Sequence, residues 1–176
     1  MSTFKGSDNC TDTILDFIRG GVPEHKSGEA GGNYNAYFGH VHATGDLGLM
    51  TLDQVYAFQA WMLSRDPRSS AVGGYQFLRR TLQSLQKAMS LPGTTLFTPA
   101  LQDRMAVSLM VGRGYKAWWR GGMHDAEFAH GLAAEWASLP DPLNGGRSKY
   151  DGDGVNSTDT TLDAVYSMLR RAAALK

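Results

Sequence analysis

The stretch Gly28-Glu29-Ala30-Gly31-Gly32-Asn33-Tyr34-Asn35-Ala36 sets one carboxylic acid among glycines, amides and aromatic rings. A carboxyl group that hands over a proton near neutral pH needs a raised pKa, which partial burial against apolar or aromatic groups provides. Tyr34, Tyr37 and Phe38 are close enough in sequence to supply such surroundings. Glu29 is therefore the candidate general acid. A solvated, inert loop glutamate is the alternative, and spacing alone favours it, because most surface carboxylates do no chemistry. Asn33, Tyr34 and Asn35 follow closely enough to contact a ligand or fix the carboxyl, and they would equally serve as a turn entering a hairpin.

Other reactive side chains form weaker patterns. His40 and His42 are two apart and would share a strand face, half of a metal site, but no third ligand adjoins them. Asp151, Asp153 and Asn156 resemble the start of a calcium loop, yet the twelfth position is Leu162 where a glutamate is needed. No metal and no cofactor is expected. Trp118 and Trp119 could stack on flat apolar ligand faces, although tryptophans near a helix end more often pack inward, and Trp136 falls on an apolar stripe. Cys10 is the single cysteine, so the chain holds no internal disulfide.

The elements that must position these groups are mostly helical. Ile14, Leu15 and Ile18 recur behind Thr11 and predict a first helix over 11–19, stopped by Gly20-Gly21-Val22-Pro23. Residues 33–50 alternate polar and aromatic side chains between glycines, which predicts a small hairpin or meander. Thr51 with Gln54 forms a capping box for a second helix ending before Pro67. Leu78, Leu82, Leu85 and Met89 predict a third helix from about Tyr75. Thr98-Pro99 starts a fourth that runs to Gly112 and Gly114. Phe128, Leu132, Trp136 and Leu139 share one stripe of a fifth, bounded by Asp125 and Pro140, and the last helix starts near Thr160. The polar loop between Pro140 and Thr160 is longer than most connections in a compact domain. The fold class is mainly α (α+β), a helical domain with a small β-hairpin lobe.

At roughly 150 residues per domain, 176 residues make one domain spanning 1–176. Seven Phe, seven Tyr and four Trp supply a core. Lys plus Arg and Asp plus Glu are both 17, so no net basic field exists to drive non-specific nucleic-acid binding. No window of ~18 apolar residues spans a bilayer, and no secretory h-region appears near the start.

Several segments in chain order carry a family resemblance. SSAVGGYQFLRRTL, FTPALQDRMAVSLM and EWASLP resemble stretches of the phage lambda type endolysins, lytic transglycosylases of the lysozyme-like superfamily. GEAGGNYNA is similar to the catalytic segment of related phage lysozymes and soluble lytic transglycosylases. The resemblance implies a lysozyme-like fold and cleavage of the β-1,4 bond between N-acetylmuramic acid and N-acetylglucosamine in peptidoglycan, with Glu29 protonating the glycosidic oxygen. It implies that Gln76 lines the sugar cleft beside Tyr75, with Gly74 allowing close backbone approach. Tyr75 as pure core, and Gly73-Gly74 as a plain tight turn, are the alternatives. One departure matters: lambda-type enzymes carry their glutamate directly at the end of the first helix, whereas here GGVPEHKS intervenes, so Glu24 is a rival acid.

The outcome of such a reaction is either hydrolysis or a 1,6-anhydro product formed by the muramic acid's own 6-hydroxyl. Hydrolysis uses a second carboxylate, about 6.5–9.5 Å away in inverting and about 5–5.5 Å away in retaining enzymes. Asp46, in the predicted hairpin, is the candidate, with Asp66 behind it; a turn residue is the plainer role for each. The expected partner is the peptidoglycan glycan strand, met by a monomer made in a host cytoplasm without a signal peptide and acting on the wall from the periplasm. A non-catalytic wall-binding or virion module that retains the fold is the competing reading.

Overall fold

The computed structural model describes residues 8–176, and its regular secondary structure is helical, joined by long turns and loops. In chain order these are α1 (Asp8–Arg19), α2 (Leu52–Arg65), α3 (Arg79–Ala88), α4 (Pro99–Gly112), α5 (Tyr115–Trp119), α6 (Asp125–Ala133) and α7 (Leu162–Ala173). α1 packs against α7 and α4, and α6 against α5 and α7. The buried core includes Ile14 and Ile18 of α1, Met105 of α4, Phe128 and Leu132 of α6, and Met168 and Leu169 of α7. Trp118 lies in that core with its ring stacked 5.0 Å from Phe128, and Trp136 is buried as well. Both are thus packing residues.

Helix starts follow their side-chain chemistry. Thr51 accepts from the Gln54 N–H while the Gln54 side chain accepts from the Thr51 N–H. Thr98 accepts from Leu101 N–H, ahead of Pro99 in the first turn, and Thr161 does the same for Ala164. Each such cap contributes about 1 kcal/mol.

The expected hairpin over 33–50 does not form. The segment is a series of turns with isolated bridges, followed by a 3-10 turn at Leu47–Leu49. Its backbone groups are satisfied elsewhere: Asn33 Nδ2 donates to the carbonyls of Val41 and Ala43, both at 2.8 Å, Phe38 N–H donates to Ala71, and the Ala36 carbonyl accepts from Gly73. Pairing with the 71–77 segment replaces pairing within the segment, so the second layer of the fold is a loop lobe rather than a β lobe.

Two helix boundaries also differ from expectation. α3 begins at Arg79 and not near Tyr75, because Gly73 and Gln76 take positive φ (80° and 47°) and close a tight turn in which Val72 bridges Phe77. α6 ends at Ala133 although its apolar stripe continues. The N–H of Ser138 and the carbonyl of Ala134, which a continuing helix would pair, are both engaged elsewhere: Ser138 donates to Glu29 and Ala134 accepts from the Tyr150 hydroxyl. The short helix α5 had no expectation in the pattern.

The excursion 20–28 after α1 folds back on itself through two glycines at close approach. A Cβ on Gly20 would lie 2.3 Å from the Ser27 carbonyl oxygen, and one on Gly28 would lie 2.4 Å from the Gly20 Cα. Gly39 shares the left-handed backbone but has nothing within 4 Å of such a Cβ. Gly39→Ala should therefore cost only the backbone penalty, about 1 kcal/mol. Gly20→Ala should cost clearly more in the same urea titration, because the clash is with main chain that cannot rotate away.

Candidate functional site

The site is built from the last turn of α1. A helix leaves its final carbonyls without internal partners, and here the following loop takes them. Phe17 O faces His25 Nδ1 at 2.8 Å, Ile18 O accepts from Glu29 N–H at 3.0 Å, and Arg19 O accepts from Ala30 and Gly32. The intervening residues 21–28 are looped out, with Gly21 N–H bonded to Lys26 O and His25 N–H to Val22 O. Glu29 is thereby returned to the end of the first helix despite the intervening sequence. Glu24 lies on the exterior of that excursion in an ion pair with Arg171 of α7 at 3.0 Å.

The Glu29 carboxyl accepts the Ser138 N–H at 3.0 Å. Burial pushes its pKa above the ordinary carboxylate range; the hydrogen bond from the Ser138 backbone opposes this, and the negative charge of Asp159 adds to it. Desolvation is the dominant cause, the pattern expected of a carboxyl kept as a proton donor.

Next to this loop lies a polar network that sequence reasoning missed. Arg19 Nη1 donates to the hydroxyls of Tyr34 (2.6 Å) and Tyr75 (3.2 Å), and both phenols donate to Asp103 Oδ1, at 2.7 and 2.6 Å. Burial first, and the bond to Asp103 second, raise Tyr34 to about 12 and push Tyr75 up further, so both remain donors at neutral pH. Arg19 also holds Asp16, and its guanidinium lies 4.5 Å over the Tyr34 ring. Beneath this, Gln102 is fully buried, accepting from Gly74 N–H at 2.8 Å and donating to the carbonyls of Phe97 and Tyr34. No motif marked Arg19, and FTPALQDRMAVSLM holds Gln102 and Asp103 without assigning either a role; the two are neighbours in the first turns of α4, which presents both to the lobe.

The remaining sequence candidates divide by what occupies them. Gln76 is partly exposed, donates to Gly73 O at 2.9 Å, and lines a cavity of about 260 Å³ with Tyr75, Thr81, Arg113, Glu135, Trp136 and Tyr150. Arg113 and Glu135 form an ion pair at its edge, 2.8 Å apart. Tyr75 is buried apart from this lining, and a Cβ on Gly74 would meet Arg19 and Tyr34 side chains, so the glycine serves packing between α1 and the lobe. The Asn33 side chain is occupied by the loop it staples, and its Oδ1 accepts from the partly exposed Asn35. Asp46 is exposed and precedes the 3-10 turn, where its carbonyl accepts from Leu49. Asp66 is held by Arg68 through both carboxylate oxygens. His40 is exposed and stacks on Tyr37 at 4.5 Å. Asp153 is turned onto its own loop, accepting from Val155 and Asn156.

Glu29 is partly exposed as a residue, but its carboxyl is desolvated, and a desolvated acid has a stability cost with a definite sign. The folded-state pKa of Glu29 lies above its unfolded value, so folding favours the protonated form. Its contribution is fully present below the ordinary carboxylate pKa and is lost as pH rises through the folded value. Glu29→Gln removes the ionisable group, so its thermal midpoint should exceed that of the unaltered protein at neutral pH, and the difference should shrink below the ordinary carboxylate range. A variant that is less stable at neutral pH would contradict the desolvation of this carboxyl.

Among the described residues, no helix is long and apolar enough to cross a membrane. No curated protein and no solved structure matches the chain. A family model described as Endolysin matches residues 52–168, a span that begins beyond Glu29 and includes Gln76, Gln102, Asp103, Arg113, Glu135 and Ser138. With that match over more than half of its length, the chain belongs to the endolysin family, and its role is the lysis of bacterial cell walls.

Proposed function

We propose that this endolysin is a muramidase: it cleaves the β-1,4 bond between N-acetylmuramic acid and N-acetylglucosamine, with Glu29 as general acid and then base, in a single lysozyme-like domain. The observation that carries the reading is the Glu29 carboxyl itself, fastened at the end of α1, desolvated, and supplied by Ser138 with a donor that orients it. Protonated Glu29 donates to the glycosidic oxygen as the bond to C1 breaks, and positive character develops at C1. In the lytic route the muramic acid 6-hydroxyl then attacks C1 and gives its proton to the Glu29 carboxylate. The acid is regenerated, the product ends in a 1,6-anhydro ring, and no water is consumed.

That route needs one protein carboxylate, and we favour it over hydrolysis. Asp46 is exposed on the lobe and its side chain makes no cap bond to the 3-10 turn that follows, and the negative charge that adds to desolvation at Glu29 is that of Asp159. Gln76 is the residue we assign to sugar binding: its amide is partly exposed beside the cavity, where it can reach N-acetyl or hydroxyl groups. Tyr34 and Tyr75 serve the site indirectly by fixing the lobe to Arg19 and Asp103, and Asn33 and Asn35 shape the turn that follows the acid.

Glu29→Gln should lower the rate of peptidoglycan cleavage by about 10²- to 10⁴-fold, the usual worth of a general acid, with the fold retained by circular dichroism. Mass spectrometry of the muropeptides should find anhydro ends, lighter by one water than hydrolysed ends, and Asp46→Asn should change neither rate nor product. Reducing ends as the main product, together with a collapse of rate in Asp46→Asn, would make the enzyme a lysozyme instead.

Gln76→Ala should produce a several-fold loss, since a net hydrogen bond is worth about 0.5–1.5 kcal/mol. Its loss should be smaller than that of Glu29→Gln in the same turbidity assay, and unchanged activity would remove Gln76 from the site.

A further inference from the structure

One side chain beside the acid is closed off from solvent without a partner. Ser138 gives its N–H to Glu29 Oε1 at 3.0 Å, yet its hydroxyl oxygen is buried and makes no hydrogen bond. Buried polar groups are nearly always paired, and a hydroxyl left alone is costly unless another state of the site supplies its partner. The main chain around it is fixed. Trp136 and Leu139 are buried on either side, the Leu139 N–H donates to the Trp136 carbonyl at 3.1 Å, and Pro140 bridges Ser148. The side chain keeps one rotatable bond. In two of its three staggered positions the hydroxyl oxygen stands gauche to the backbone nitrogen, so a serine can present its N–H and its O–H to the same carboxylate.

Resting on the reading of Glu29 as the acid, we propose that Ser138 is, through its hydroxyl, a positioning residue for Glu29: the hydroxyl turns to the carboxylate as the proton leaves it. A protonated carboxyl uses one oxygen as a donor, whereas the ionised group only accepts, and through both oxygens. The partner that the hydroxyl lacks therefore arises once Glu29 has protonated the leaving sugar and holds a negative charge in desolvated surroundings. A bond to an ionised acceptor is among the stronger ones, and a bond made in that state but absent before it lowers the barrier without tightening substrate binding. The charged groups on the neighbouring elements are untouched by this rotation. Arg19 at the end of α1 is turned to Asp16 and Asp103, Glu24 and His25 of the excursion meet Arg171 and Asp159, and Asp159 of the loop before α7 bears on Glu29 by charge in either state of the serine.

Ser138→Ala is the test, because it deletes the hydroxyl and leaves the N–H on Glu29. On solubilised glycan strands its kcat should fall about tenfold, the lower end for a bond to a charged group, with little change in KM. The hydroxyl favours the ionised acid, so its removal should also move the alkaline limb of the pH–rate profile, which reports loss of the acid's proton, to higher pH. Carbon-13 NMR titration of the Glu29 carboxyl should show the same upward move without turnover. Below the ordinary carboxylate range, where Glu29 is protonated, the variant should melt no lower than the unaltered protein, since it loses only an unpaired hydroxyl. A kcat, limb and titration that superimpose on those of the unaltered protein, while Glu29→Gln is inactive, overturn this inference and spare the assignment of the acid. A lower melting point in acid overturns it too, by showing that the hydroxyl was already bonded. An active Glu29→Gln overturns the assignment of the acid itself.

Discussion

The unpaired carbonyls at the end of α1 are the constraint on which the rest of the site depends. Four residues in succession, Asp16 to Arg19, present backbone oxygens that the helix cannot satisfy, and burial makes leaving them bare costly. The loop resolves this with donors from Gly20, His25, Glu29, Ala30 and Gly32. Satisfying these carbonyls and placing the carboxyl are therefore one event. The acid's main chain is pinned by its own N–H, so its side chain has few ways to leave, and the close crossing of Gly20 and Gly28 is what lets the intervening residues loop out without displacing it.

From that helix end the constraint spreads through Arg19. Its carbonyl holds the acid loop, while its guanidinium holds Tyr34, Tyr75 and Asp16. Tyr34 follows the acid in the chain, Tyr75 precedes Gln76, and both close on Asp103 of α4. One arginine thus couples the acid loop to the wall that carries Gln76. Such a network is worth having only when complete: removing a single member leaves a desolvated charge or hydroxyl behind, which costs more than the bond contributed. Gln102 repeats the device with main-chain partners, and together they replace the sheet that this lobe lacks.

The charge balance bears on how the enzyme meets its substrate. With equal numbers of basic and acidic side chains the molecule has little net long-range attraction for an anionic wall. The family match begins beyond Glu29 and holds the cleft wall, Asp103 and Ser138. The matched span thus holds the groups that face the segment carrying the proposed acid.

Helix cores and caps were legible in the residues because they are local. Leu52, Val55 and Met62 with Thr51 and Gln54, or Thr98 with Pro99, state a helix and its start within a few positions. For Glu29 and Gln76 the residues alone offered candidates, and it was the resemblance of GEAGGNYNA and GGYQF to a family that proposed a role for each. The hairpin failed because alternation over 33–50 says nothing about where its backbone groups find partners, and they found Asn33 and the 71–73 backbone. α6 stopped short of its apolar stripe for a similar reason, since Ser138 is drawn to a carboxylate more than one hundred residues earlier. That Glu29 and not Glu24 closes the first helix, that Arg19 and Asp103 meet across Tyr34 and Tyr75, and that His25 meets Asp159, were decided by the tertiary structure alone. Hydrogen bonds and buried charges choose partners by proximity in space, and a single sequence carries no record of that proximity.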